Sequence, residues 1–127
     1  MEIETNSIND FCNFINKSNF KKIFVLCGLN SYKKLSIKEY IKKFEKIYEL
    51  KYFYKKQYLP TYIELIEITK VIKQFKPDVI LAIGGGSVLD LAKISNCIEL
   101  SDDLKEYIRN YSYPYKKKHA KLIALPT

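Results

Sequence analysis

Residues 78–93 read Asp-Val-Ile-Leu-Ala-Ile-Gly-Gly-Gly-Ser-Val-Leu-Asp-Leu-Ala-Lys, and they leave little choice of architecture. Val79 to Ile83 is a short apolar run rich in β-branched residues, the pattern of a parallel strand covered on both faces. Gly84, Gly85 and Gly86 then reverse the chain with no Cβ to hold a ligand away from the backbone. From Ser87 onward the apolar positions Val88, Leu91, Ala92, Ser95 and Ile98 recur at helical spacing. Ser87 reads as the helix N-cap and Asp90 as its third residue, each placed to take a free backbone N–H. A glycine turn feeding a helix start offers N–H donors and about half a positive charge to an anion. Phosphate suits such a turn.

The spacing is not G-x-G-x-x-G, and no Gly-Lys-Ser/Thr follows to make a P-loop. Ordinary capping of a strand-to-helix turn would account for one glycine but not for three. Three glycines followed by Ser-x-x-Asp-x-Ala-Lys resemble the cofactor-binding motif of the iron-containing alcohol dehydrogenase family. That resemblance implies that Gly84, Gly85, Gly86 and Ser87 hold the pyrophosphate of a nicotinamide dinucleotide. It also implies that Asp90 braces the turn or approaches the nicotinamide side. It is close over residues 77–98 and looser over the rest of the chain.

Two further segments carry the same resemblance. Lys121-Leu-Ile-Ala-Leu-Pro-Thr127 looks like the family strand that runs into a second cofactor loop beginning Pro-Thr, which makes Thr127 a candidate contact. Phe53 to Tyr62 is similar to the stretch in which an aromatic strand ends in an Asp that accepts hydrogen bonds from the adenosine ribose. Here that Asp falls at Tyr54 or Lys55, and Leu59 stands where Asn is usual before Pro60. A lysine at this point can pair with a 2′-phosphate, so Lys55 is a candidate contact and the cofactor is NAD or NADP. Lys55 and Lys56 as plain solvated loop residues remain the other reading.

The remaining chain alternates strand and helix signals. A first helix follows Asn6-Ser7 with Ile8, Phe11, Cys12 and Ile15 on one face, and Ile23 to Cys27 reads as a buried strand turned by Gly28. Ser36 caps a helix with Glu39 as its capping-box partner and Ile37, Tyr40, Ile41, Phe44, Ile47 and Tyr48 inward. Leu50 to Tyr54 is the next strand. Thr61 to Glu64 forms another capping box, opening a helix that buries Leu65, Ile66, Thr69, Ile72 and Phe75 before Pro77. Ser101-Asp102-Asp103 starts a shorter helix, and Leu122 to Leu125 is the last strand. This order predicts right-handed βαβ crossovers and a parallel sheet, with ligands beyond the carboxyl ends of its strands.

Composition bounds the function. The 127 residues suffice for one domain with a real core, and hydrophobic residues make up 47% of them, which excludes disorder. No apolar run approaches a membrane span and no leader pattern opens the chain, so a cytoplasmic protein is expected. The formal charge of +8 is spread along helix surfaces and reads as a solvated face, without any nucleic-acid-binding signature. Cys12, Cys27 and Cys97 are odd in number and set among apolar neighbours, as buried reduced thiols are. His119, within Lys-Lys-Lys-His-Ala-Lys, sits among cations without partner ligands and reads as a solvated loop residue.

The sequence therefore predicts an α/β fold, a Rossmann-like parallel sheet with flanking helices. Residues 1–127 form one nucleotide-binding domain that resembles the N-terminal part of the dehydroquinate synthase-like and iron-containing alcohol dehydrogenase architecture. The resemblance implies interconversion of an alcohol and an aldehyde, with iron or zinc held by Asp and His of a second, helical domain. This chain offers no metal ligands and no catalytic residues of that kind. It reads as the cofactor-binding half, severed before the second cofactor loop, inactive alone and with an uncovered face that could self-associate. A dehydroquinate synthase-like lyase fragment is the alternative, although its helix usually carries Asp-x-Ala-Gly where Ala92 here precedes Lys93. A non-enzymatic basic module binding nucleotides or nucleic acid is the third reading.

Overall fold

Strict alternation along the central strands decides how the sheet is covered. In strand β2 (Lys22–Gly28), Ile23, Val25 and Cys27 face one way while Phe24 and Leu26 face the other, and all five are buried. Strand β4 (Val79–Gly84) repeats the pattern, with Val79, Leu81 and Ile83 opposed to Ile80 and Ala82. A strand apolar on both faces needs helices on both faces. The computed structural model describes residues 2–4, 13–16, 19–28, 35–55, 61–98 and 119–126, and it shows that arrangement.

Among the described residues, five strands lie in the order β1-β5-β4-β2-β3, all parallel, with β1 at Glu2–Glu4, β3 at Glu49–Lys55 and β5 at Lys121–Pro126. Helix α1 (Leu35–Glu45) contributes Ile41 and Phe44 to the core on one face, beside Ile15 of the helical residues 13–16. Helices α2 (Tyr62–Phe75) and α3 (Gly86–Ser95) cover the other face with Leu65, Ile68, Ile72, Val88, Leu91 and Ala92. The predicted fold class and four strands are observed, and β1 is an addition. Only Ile3 among Glu2, Ile3 and Glu4 is apolar, so no periodic signal could announce a strand of three residues.

Other boundaries differ from the sequence reading for local reasons. Helix α1 starts at Leu35, which puts Ser36 within its first turn and not at its cap. It ends at Glu45, so Ile47 lies in the following turn and is 70% exposed instead of inward. Helix α2 matches its signal closely. Thr61 Oγ1 accepts from Glu64 N at 3.1 Å, and Lys76 closes the helix in the left-handed region at φ 53. The predicted helix after Ser101 and most of the one after Ser7 lie outside the described residues, as do Lys56, Leu59, Pro60 and Cys12.

Two polar clamps hold the amino end of the sheet. Asp78 Oδ2 accepts from Lys21 N at 2.8 Å and Lys22 N at 3.0 Å, tying the entry of β4 to that of β2. Asn96, fully buried behind α3, donates from Nδ2 to Ala120 O and accepts at Oδ1 from Ala120 N. Both partners of Ala120 are lost in Asn96→Ala, leaving two part-buried backbone groups unpaired. The variant should lose about 2–3 kcal/mol of stability in urea denaturation, and wild-type stability would show that the clamp carries no load.

Candidate functional site

Parallel strands place all their carboxyl ends on one edge, and the strand order locates the crevice within that edge. From β2 the chain moves outward to β3, then returns across β2 to β4 and moves the other way to β5. The order reverses between β2 and β4, and such a switch point is where open α/β sheets bind ligands. Gly28 ends β2 and Gly84 ends β4 at this position, and a Cβ built on Gly84 would lie 3.4 Å from Gly28 N. The glycine turn thus sits at the reversal.

Its three glycines have different duties. Gly84 is buried, with φ +152, and a Cβ there would meet Val88 Cγ2 at 2.9 Å. Gly85 and Gly86 are exposed, and a Cβ on either would meet nothing within 4 Å. Gly84 therefore makes the turn, and the next two keep the space above it open.

The helix starts earlier than the sequence suggested. Gly85 is the N-cap, in extended conformation, and Leu89 N donates to Gly85 O at 3.2 Å as the first helical bond. Ser87 therefore lies in the first turn of α3 and is not the cap. The positive φ of Gly84 lets the backbone enter the helix as soon as the strand ends, ahead of the usual side-chain signal. A glycine cap supplies no side-chain oxygen to the first turn of α3. Asp90 is exposed on α3, and its side chain has no hydrogen-bond partner among the described residues.

Lys55 is the larger departure. It ends β3 opposite Gly28 and is 5% exposed, far from the solvated loop residue that its sequence context allowed. Its Nζ lies 3.9 Å from Oε1 of Glu64, itself 5% exposed and held beside Thr61 at the start of α2. Glu64 was legible only as a capping-box member. The β3-to-α2 connection brings a residue nine positions after Lys55 back over the same strand end, which spacing alone does not reveal. Thr127 lies outside the described residues.

Cys27, the residue before Gly28, is close to the crevice but sealed beneath it. Burial pushes its thiol up from 9.0 to about 12, so it stays protonated and inert at neutral pH. Because the raised value belongs to the folded state, the neutral thiol favours folding fully below pH 9.0, and this contribution falls as pH rises toward 12. Cys97 is in no disulfide and is half-buried, unlike the buried thiol expected. Iodoacetamide at pH 8 should modify Cys97 well before Cys27, read by peptide mass spectrometry. Equal rates would mean that the β2 end is open to solvent.

His119 has an exposed ring whose Nε2 lies 2.9 Å from Ile98 O, a bracing contact to the residues after α3. Among the described residues no group of three or more His, Cys, Asp or Glu side chains could hold a metal ion. No described helix is long and apolar enough to cross a membrane.

The family model for iron-containing alcohol dehydrogenases matches residues 1–127. An aldehyde-alcohol dehydrogenase of Streptococcus pneumoniae serotype 4 is 33% identical over 69 residues, covering 46% of this chain and 8% of that protein. Among solved structures, the NADH-dependent butanol dehydrogenase A of Thermotoga maritima superposes with TM-score 0.74 at 22% identity, over 98% of this chain and 32% of its own. The iron-containing alcohol dehydrogenase of Thermococcus thioreducens gives 0.66 at 20% identity, over 99% and 35%. The chain thus spans about a third of the length of these structures and a far smaller share of the curated relative.

Proposed function

This chain belongs to the iron-containing alcohol dehydrogenase family, and we propose that its glycine turn binds the pyrophosphate of NAD(H) or NADP(H). The observation that carries the proposal is the open space over Gly85 and Gly86 at the sheet's switch point. A Cβ at either position would fill that space, and a phosphate oxygen can instead approach the backbone there. Gly84, beneath, sets the turn that aims α3 at the phosphates. Asp90, exposed on α3, is left for solvent or for a group beyond the turn.

When bound, the nicotinamide ring supplies hydride transfer, which in this family interconverts an alcohol and an aldehyde. This chain's share is to bind and orient the dinucleotide along the carboxyl edge of the sheet. The described residues do not fit the family's metal, so no step through it is assigned to them. The 127-residue chain alone should bind cofactor weakly and turn over no alcohol.

The test is a fluorescence titration with NADH and NADPH, backed by calorimetry. Saturable enhancement of nicotinamide emission supports the reading. No binding at millimolar nucleotide, with tight salt-sensitive binding of RNA or DNA, would replace it with a basic nucleic-acid module.

A further inference from the structure

We propose that the buried Lys55–Glu64 pair makes this chain select an unphosphorylated adenosine ribose, and so NAD(H) over NADP(H). The inference rests on the dinucleotide reading of the glycine turn. Its first support is placement. Lys55 pairs in register with Gly28, and Gly28 borders Gly84, so the ammonium ends a strand two places along the sheet from the turn. Two strand spacings are about 10 Å, a span that an extended dinucleotide covers between its phosphates and a ribose. In dinucleotide-binding α/β sheets, a side chain at a neighbouring strand end reads the ribose 2′ position, an acid for the hydroxyl or a cation for a phosphate.

The second support is an incomplete set of partners. The Lys55 ammonium has three N–H donors, yet it makes no hydrogen bond to any described residue, and Glu64 at 3.9 Å is its ion-pair partner. The two side chains are 4% and 7% exposed. No enclosed side-chain nitrogen or oxygen among the described residues lacks a hydrogen bond. An ammonium that makes none must therefore still reach the surface at its tip. A nearly buried cation with unused donors calls for an oxygen acceptor at that tip.

Glu64 decides which acceptor fits. A lysine alone would welcome a 2′-phosphate, but this lysine's charge is already matched by a carboxylate. Thr61 Oγ1, 3.4 Å from Glu64 Oε1, holds that carboxylate in place in the first turn of α2. A ribose hydroxyl can accept from Lys55 Nζ and donate to Glu64. A 2′-phosphate can do neither the donating nor the tolerating, because its charge would stand beside the carboxylate. The pair is therefore a reader of a neutral diol.

The experiment compares NADH with NADPH on the wild-type chain by nicotinamide fluorescence. ADP and its 2′-phosphorylated form are then used as competitors, which isolates the adenosine end. NADH and ADP should each bind at least about tenfold tighter than their 2′-phosphorylated counterparts, the scale of one like-charge contact. In Glu64→Gln, whose folding is checked by circular dichroism, that ratio should fall to near one or invert. Equal or tighter binding of the phosphorylated forms to the wild type would overturn the selection while leaving the glycine-turn reading intact. An unchanged ratio in a folded Glu64→Gln would overturn it too. If neither nucleotide binds the wild type, the glycine-turn reading itself fails and takes the selection with it.

Discussion

Replacing Gly85 with valine should weaken dinucleotide binding by about a hundredfold or more, roughly 2.7 kcal/mol, while barely moving the thermal midpoint. The two halves of this expectation come from the same local geometry. Gly85 has φ −82 and ψ −169, an extended conformation that a β-branched residue adopts without strain, and a Cβ there meets no heavy atom within 4 Å. Folding therefore has little to lose. The same isopropyl group would stand in the space over the first turn of α3, where the proposed pyrophosphate needs direct contact with backbone N–H groups. Parallel NADH titrations and melting curves on Gly85→Val and the wild type separate the effects. Undiminished binding by the folded variant would sink the glycine-turn assignment. Loss of both binding and fold would show that the space is needed by the protein itself.

The parallel sheet and its glycine turn were legible because they rest on patterns that the sequence displays directly. Unbroken apolar runs at Ile23 to Cys27 and Val79 to Ile83 demanded two covered faces, and three consecutive glycines marked the turn. The start of α3 was misread because Ser87 is a good capping residue by type, and type is all a sequence displays. What decides the cap is where the strand stops, and the positive φ of Gly84 moves the helix forward to Gly86. Lys55 shows the same limit more sharply. Its neighbour Lys56 argues for solvent, but the strand runs one residue further than its aromatic core suggested and brings Lys55 under α2 against Glu64. The clamp from Asn96 to Ala120 joins residues 24 apart with no pattern between them, so only the folded chain shows it.

Gly84→Ala should do the opposite of Gly85→Val and destabilise the whole domain by about 2–5 kcal/mol, a large part of a typical domain's stability of about 5–15 kcal/mol. Two costs combine. Alanine would be held at φ +152, in a region that residues with a Cβ rarely enter, and the methyl would lie 2.9 Å from Val88 Cγ2 and 3.1 Å from Val88 Cβ. Val88 has little room to yield. It is 3% exposed, packed among Leu91, Ile80 and Ala82, and its branched side chain has few rotamers in a helix. Shifting α3 instead would disturb the approach of Gly84 to Gly28 and with it the crevice. The two costs can be separated by adding Val88→Ala, which removes the collision but not the dihedral penalty. The double variant should therefore regain part of the loss, beyond what Val88→Ala itself subtracts through its own cavity. Urea denaturation of wild type, both single variants and the double variant closes that cycle. Strict additivity would mean that the methyl and Val88 never meet. A Gly84→Ala protein as stable as wild type would mean that the turn does not need the positive dihedral at all.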